Sequence, residues 1–545
     1  MQRASDLPAV SIFIANKIID RARSAMNELC KIGIAENNVW HQHREHRYEI
    51  LDDFEYLKQF GCVDATLLEI VKLVEVGELQ TLPSFDLCRN QNSMYTMEVF
   101  EQGLQIEASR DKALIKISPT KLVELLMDVN QWSTAFYNIV SGARILGSIE
   151  GSYDEKMHVM SAEFHLPSPV IPTRKCVFAR YSKQFTHNIW AVVDVSLEDI
   201  LQSPSNNFHK RPSGCLIEGM PDGNSKVIWL EHVEADYSKL SDLFRPLVTS
   251  ALAFGATRWL TSIVRYIEWS ETLKAPKLIA DAGVLIPQIG RTSFLKLADR
   301  MMRRFCANLG STTKNPWIRL APLPAGSADI RVMIANDMAG STNEPIGTSL
   351  FFCTTLWLNV SPNRLFNFLR HEKSRSKWDK HSQNLSIREF ACILTGKHPE
   401  NRVSLLRARD KNEIFYLQES YKDTTASYVI YCPLDEQKLT HLATGSNPDD
   451  VVAFPSGFAI IPGGLPRDGD KGKGNANSTA NDESLLTISF HIIGKANNAA
   501  SIPPESVQTI YNMVTETMAA IKDAVSYHSR LNNWDQDEVA NSLAA

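Results

Sequence analysis

No C-x-x-C pair, no Gly-x-Ser-x-Gly elbow, no His-Glu-x-x-His pair and no complete phosphate-binding glycine loop occurs in this 545-residue chain. These absences remove the common zinc frameworks, the usual hydrolase nucleophile and the nucleotide-binding loops. Gly472-Lys-Gly474 comes nearest to such a loop, yet it follows no clear strand and opens no helix. The nine cysteines are scattered and odd in number. That usage points to a reduced compartment, cytosol or nucleus, with thiols acting as small buried hydrophobes. No apolar run approaches the roughly 18 residues of a spanning helix, and Met1–Val10 lacks the apolar core of a secretory signal.

Charge of one sign is lacking too. Lys and Arg total 57 against 62 Asp and Glu, a formal net charge of −5, which offers no general attraction to nucleic-acid phosphates. The densest basic island is Arg300, Arg303 and Arg304. It shares a segment with Phe294, Leu297, Met301 and Phe305 at helical spacing, so it reads as the solvated face of an amphipathic helix. His41, His43 and His46 match no zinc spacing, and Arg44 and Arg47 would repel a dication. No metal, no cofactor and no catalytic residue is expected, and the protein reads as a non-enzyme.

What is present is an alternation of helix and strand patterns. Residues 11–33 carry a broad apolar stripe (Ile14, Ile18, Ala22, Ala25, Met26, Leu29), the mark of an amphipathic helix. A further helix is expected near Asp64–Val76. Ser118-Pro119 precedes Leu122, Val123, Leu125 and Leu126; a capping hydroxyl followed by proline is a helix start. Strands follow at Lys175–Tyr181, Trp190–Val195, Cys215–Ile217 and Lys226–Val233, the last two joined by a turn at Pro221-Asp-Gly-Asn224. Ser241–Glu271 then reads as one long helix with Pro246 early in it and Gly255 as a soft or close-packing point.

The second half repeats the first. Ser118-Pro119 recurs as Ser361-Pro362, and Pro212-Ser-Gly214 as Pro455-Ser-Gly457, at one offset of 243 (362 − 119 and 455 − 212). Leu122 and Leu126 map to Leu365 and Leu369 in that register. Two copies are too few for a solenoid, so two globular lobes are expected. The second lobe closes on a helix near Pro504–Tyr527, carries a mobile glycine-rich loop at 467–484, and is followed by a disordered tail from about 531.

Some strand faces mix charge with large apolar residues. Phe178 and Arg180 share one face, as do Trp190, Val192 and Asp194, and Val227, Trp229 and Glu231. A few polar groups in an apolar wall is how small-molecule sites are built; solvent-facing charges or a structural ion pair would give the same pattern.

Met127-Asp-Val-Asn-Gln-Trp132, Ala162-Glu-Phe-His-Leu-Pro-Ser-Pro-Val-Ile-Pro172-Thr-Arg174, Arg211-Pro-Ser-Gly-Cys-Leu-Ile217, Ser225-Lys-Val-Ile-Trp-Leu-Glu-His-Val-Glu234 and Ala253-Phe-Gly-Ala-Thr-Arg-Trp259 resemble the START domain of plant class IV homeodomain–leucine zipper transcription factors. Ser374-Arg-Ser-Lys-Trp378-Asp and Phe454-Pro-Ser-Gly-Phe-Ala-Ile-Ile461 resemble the START-adjacent domain of the same proteins. The resemblance implies an α+β fold of two tandem helix-grip lobes, each a curved antiparallel sheet packed on a long C-terminal helix. The division it suggests is an N-terminal segment 1–100, a START domain 101–275, a helical connector 276–315 and a START-like domain 316–530. It implies a lipid or sterol ligand in an apolar cavity of several hundred Å³, and Phe178, Arg180, Trp190, Val192, Asp194, Val227, Trp229, Glu231, Phe254, Arg258 and Trp259 are the cavity candidates. It further implies a nuclear, transcription-associated role (cytoplasmic placement being the alternative) and homo- or heterodimerisation with homeodomain–leucine zipper partners. The other reading is an interaction scaffold whose cavity its own side chains fill. Arg174 matches an arginine common in START modules, but the following position, often acidic, is Lys175 here. No homeodomain signature precedes residue 10, so direct DNA binding is not expected.

Overall fold

A computed structural model describes residues 12–34, 39–42, 48–52, 55–56, 104–150, 155–201, 208–275, 286–320, 329–336, 348–379, 382, 385–409, 413–463, 483–494 and 504–529. The helix expected near Asp64–Val76, most of the glycine-rich loop and the tail lie outside them. The chain divides into two compact units, Met1–His165 with Pro172–Ile267, and Leu166–Ile171 with Glu268–Ala545.

The first unit opens with helix α1 (Ile12–Ile34) and the short strands β1 (Trp40–Gln42) and β2 (Glu49–Leu51). There follow β3 (Gln105–Ile115), helices α2 (Pro119–Met127) and α3 (Val129–Ala135), β4 (Val140–Glu150), β5 (Glu155–Phe164), β6 (Arg174–Thr186) and β7 (Ile189–Ser196). After the single turn α4 (Glu198–Leu201) come β8 (Phe208–Lys210), β9 (Ser213–Gly219), β10 (Ser225–Ala235), α5 (Arg245–Thr249) and α6 (Ala256–Lys274). Antiparallel pairing orders the strands β1-β2-β3-β10-β9-β7-β6-β5-β4, with β8 also on β10. One face of this sheet packs on α1, where Ile18, Ala22, Met26 and Leu29 meet Ala191, Val193 and Val195. Because side chains alternate along a strand, Val192 and Asp194 face the other way, towards α2, α3 and α6. Residues 12–34, 39–42 and 48–51 are thus built into the unit that a boundary at residue 101 would have cut. Arg110 on β3 fixes it: the guanidinium donates to the Ile32 and Gly33 carbonyls (3.3 and 3.0 Å) and pairs with Glu49 (2.7 Å).

The second unit repeats the frame. Helix α7 (Gln288–Leu309), expected as a connector, packs on β15–β17 as α1 packs on β7, and so is this lobe's own first helix. Next come β11 (Ile318–Arg319), β12 (Ile330–Asn336), β13 (Thr348–Leu358), α8 (Pro362–Arg370), α9 (Glu372–Trp378), β14 (Ser386–Leu394), β15 (Arg402–Arg409), β16 (Ile414–Lys422) and β17 (Ser427–Leu434). Helix α10 (Glu436–Ala443), β18 (Ser456–Pro462), β19 (Ser484–Gly494) and α11 (Pro504–Ser529) complete it. The order is β11-β12-β13-β19-β18-β17-β16-β15-β14, and its core joins Leu365, Leu369, Trp378, Val429, Phe458, Val514 and Ile521. Both lobes are therefore α+β helix-grip folds.

The repeated motifs have physical causes. Gly214 has φ +140°, and a Cβ there would overlap the Val192 carbonyl; one at Gly457 would overlap the Val429 carbonyl. Ser213 and Ser456 hydroxyls take the backbone N–H of His232 and His491 (2.9 and 3.2 Å). Ser225 and Ser484 hydroxyls donate to the carbonyls of Ile117 and Val360, both at 2.6 Å. That last pair is offset by 259 (484 − 225), because the β18–β19 connection is longer than the Pro221–Asn224 turn.

Three local expectations are corrected. Ser118 precedes α2 but makes no side-chain cap bond, whereas Ser361 does, to the Arg364 N–H. Segment 241–271 is not one helix: α5 stops at Thr249, Ala251 takes φ +60°, and α6 begins at Ala256. Gly255 lies in that break, where a Cβ would collide with the Ala251 carbonyl and Ser109 Oγ. The Ser109 hydroxyl accepts the Ala256 N–H (3.0 Å) and starts α6 afresh. Ser484, at the expected end of the mobile loop, is already in β19.

Candidate functional site

The inner face of the first lobe carries a buried charge network with aromatic rings packed against it. Arg180 on β6 and Asp194 on β7 are register partners, and they form two bonds of 2.8 Å, Nε to Oδ1 and Nη2 to Oδ2. The remaining Arg180 Nη1 donates to the Leu126 carbonyl of α2 (2.8 Å), and the guanidinium lies 4.0 Å from the Trp132 ring centre. Lys210 Nζ bridges Asp194 (3.6 Å) and Glu231 (3.2 Å), while the Trp229 indole donates to Glu231 (3.0 Å). The four charged residues are 3–6% exposed. Burial lowers the Lys210 pKa, but Glu231 and Asp194 more than offset it, so the ammonium is held above its ordinary range. Burial pushes the Glu231 carboxyl up, against the opposing pull of Lys210 and Trp229.

The sequence candidates are not all gathered here. Phe178, Arg180, Asp194, Trp229, Glu231 and Trp259 meet around the network, with Val192 and Val227 buried on the same sheet face. Trp190 sits at the open end of β7 and is only half-buried. Phe254 stacks under Arg174 (4.0 Å), whose guanidinium pairs with Glu107 rather than with a neighbour in sequence. Arg258 is buried and donates to the Asn138 carbonyl (3.3 Å). Lys210 and Trp132 were not singled out from sequence. Lys210 lies on the three-residue β8, too short for a periodicity to expose. Trp132 stood in a quoted motif, but its helix α3 has only seven residues.

Where an open apolar chamber was expected, rings occupy the concave face. Trp229 stacks on Trp259 (centroids 5.4 Å, planes 11° apart) and Trp259 on Trp132 (6.1 Å, 8°). Phe136 and Phe164 close on Trp259 at 4.9 and 6.0 Å. Within this packing the indole N–H groups of Trp132 and Trp259 are buried and have no acceptor in the protein. A separate surface groove of about 470 Å³ lies in the second unit, between the start of α7 (Ile289, Lys296) and Asn447-Pro448.

Among the described residues no cluster of His, Cys, Asp and Glu could hold a metal, and no helix is long and apolar enough to cross a membrane. His41 is paired with Asp52 (3.0 Å); His43 and His46 lie outside the described residues.

Comparison with known proteins gives a concordant picture. The START domain family matches residues 84–269, and the PDF2-like, C-terminal domain family matches residues 288–527. The chain is 32% identical to the homeobox-leucine zipper protein HDG1 of Arabidopsis thaliana over 525 residues, 94% of this chain and 60% of the relative. It is 36% identical to HDG3 of the same plant over 431 residues (77% and 58%). With homeobox-leucine zipper protein ROC8 of Oryza sativa subsp. japonica it shares 33% over 450 residues (78% and 62%). The chain thus spans about 60% of the length of these relatives. Among solved structures, human StAR-related lipid transfer protein 5 aligns at 13% identity and TM-score 0.29, covering 46% of this chain and 97% of its own.

Proposed function

The chain belongs with the plant class IV homeobox-leucine zipper proteins through its START domain and following PDF2-like C-terminal domain, and from that premise we propose that its first lobe is the lipid- or sterol-binding half of a non-catalytic regulatory protein. One observation carries the reading. Two indole N–H donors, Trp132 and Trp259, are buried without an acceptor beside a buried ionic network. An unmet buried donor costs about 1–3 kcal/mol, and native structures leave few without a reason. A ligand with an apolar body and one or two oxygen acceptors would meet both and gain apolar burial as well.

The ring packing sets a condition. A guest enters only if Trp259 or Trp132 swings aside or α6 moves, which the break at Ser250–Gly255 allows by rotation about a short connection. The same rings support the second reading, a lobe filled by its own side chains that serves as a dimerisation scaffold for homeodomain–leucine zipper partners. Nuclear placement and a part in transcription belong to either reading, and the homeobox names of the relatives support them.

The test removes the donors and keeps the rings. Trp132→Phe and Trp259→Phe in the full chain are compared with wild type for the rise in melting temperature on adding cholesterol, phosphatidylcholine or lysophosphatidylcholine. The ligand reading expects a shift in wild type that falls in both variants. No shift with any lipid, and equal melting throughout, would support the filled scaffold instead.

A further inference from the structure

The second lobe presents a different polar group at the corresponding place. Arg375 on α9 stands 243 positions after Trp132, and its side chain is 1% exposed. The guanidinium is caged by Tyr431, Tyr416 and Trp378, at 4.1, 4.2 and 5.0 Å from their ring centres. Its protein partners are few and long: Asp379 at 3.2 Å and the Gln418 side-chain oxygen at 3.2 Å. Charge-assisted bonds of this kind ordinarily close to about 2.7–2.9 Å. Asp379 is shared, since it also accepts the Ser382 hydroxyl (2.7 Å). The Arg375 Nη2 has no acceptor, and neither has the adjacent Trp378 Nε1, both being buried. Gln418 cannot complete the set, because its amide nitrogen is turned to the Arg370 carbonyl (2.9 Å).

A cation with a spare N–H, an indole N–H beside it and an aromatic wall together form an acceptor site of defined chemistry. Two adjacent donors suit the two oxygens of a carboxylate, and the guanidinium adds the charge that a neutral oxygen does not need. The caging rings Tyr416 and Tyr431 are 7–8% exposed where the Arg375 side chain is 1% exposed, and Phe490 belongs to the same apolar core, so the tyrosines are where this enclosure comes nearest the surface. We propose that the second lobe is a ligand site in its own right, taking an amphipathic monocarboxylate whose head meets Arg375 Nη2 and Trp378 Nε1 and whose apolar body lies among the Tyr416, Tyr431 and Phe490 rings. This site does not depend on the lipid reading of the first lobe.

The test uses the full chain with oleate and, as the uncharged analogue, oleyl alcohol, followed by calorimetry. Arg375→Gln is expected to weaken oleate binding by roughly tenfold and Trp378→Phe by roughly threefold, with oleyl alcohol weak throughout. Variants that melt like wild type and bind oleate equally well would overturn the site, as would oleyl alcohol binding as tightly as oleate. That result would leave ordered water as the partner of the two donors. If either variant fails to fold, wild-type chain labelled with a diazirine fatty acid decides the matter. Cross-links within 365–378 and 416–431 are expected; cross-links confined to the first lobe, or none, would refute it.

Discussion

The two lobes share a backbone frame and put different chemistry on its inner face. Strand register aligns Arg180 with Gln418 and Asp194 with Tyr431. The repeat offsets align Lys210 with Ala453 and Glu231 with Phe490. Four buried charges in one lobe are thus neutral or apolar in the other, and both close. The ionic network is therefore not a requirement of the fold. Taking charges out of water costs several kcal/mol per ion, and apolar replacement of a buried network is often neutral or stabilising. The network, which the fold itself does not require, is what the ligand reading proposed for the first lobe puts to use. The cation–ring contact also changes sides: Arg180 on a strand faces Trp132 on a helix, and in the second lobe Arg375 on the helix faces Tyr431 on the strand.

The comparison is broken most forcefully by removing one member of the network. Asp194→Ala leaves Arg180 and Lys210 without their shared carboxylate and is expected to cost about 3–5 kcal/mol, seen as a lowered urea midpoint of the first lobe. Transplanting the second lobe's lining (Trp132→Arg, Arg180→Gln, Asp194→Tyr, Lys210→Ala, Glu231→Phe) is expected to cost less than that single change. A transplant as damaging as Asp194→Ala would mean that the lobes are not interchangeable frames.

Acid sharpens the comparison next. Burial, partly offset by the Tyr137 carbonyl, holds the His165 pKa at about 4, and burial with Arg304 nearby holds that of His491 at about 3. Both imidazoles bind protons more weakly folded than unfolded, where they titrate near 6.5. Their contribution is complete above pH 6.5 and is lost as pH falls towards 4 in the first lobe and 3 in the second. The loss is on the order of 3 kcal/mol for His165 and about 5 kcal/mol for His491. Urea unfolding at pH 7, 5.5 and 4.5 should show a smaller decline in His165→Asn than in wild type.

Smaller effects test the shared frame itself. Gly214→Ala and Gly457→Ala should each destabilise their own lobe by about 2 kcal/mol, since a methyl group must displace a neighbouring strand carbonyl. Ser225→Ala and Ser484→Ala should each cost about 1 kcal/mol, the value of one buried hydrogen bond. Equal losses within each pair are the expectation; a loss in only one lobe would mark where the frames diverge.

The sequence made the frame legible through residues with backbone reasons to recur. Proline suits a helix start because no N–H is needed there, and glycine against a strand carbonyl tolerates little else, so Pro119/Pro362 and Gly214/Gly457 stand out at one spacing. Ser225 and Ser484 do the same work as each other but escaped notice, because a longer loop shifts their offset from 243 to 259. The site was legible where strands are long: alternation placed Arg180 and Asp194 on one face, and they pair. It was not legible where position depends on packing. Lys210 comes from a three-residue strand, the break before α6 depends on a hydroxyl from β3, and α7 carries the same amphipathic signature whether it connects lobes or opens one.

Native mass spectrometry of the full chain, purified without detergent, tests the central claim most directly. If the inner face of the first lobe is built for a guest, the gently ionised protein carries an added lipid-sized mass, and the Trp132→Phe variant carries less of it. A chain that flies at its polypeptide mass alone, and stays there after incubation with sterol and phospholipid, would contradict the account.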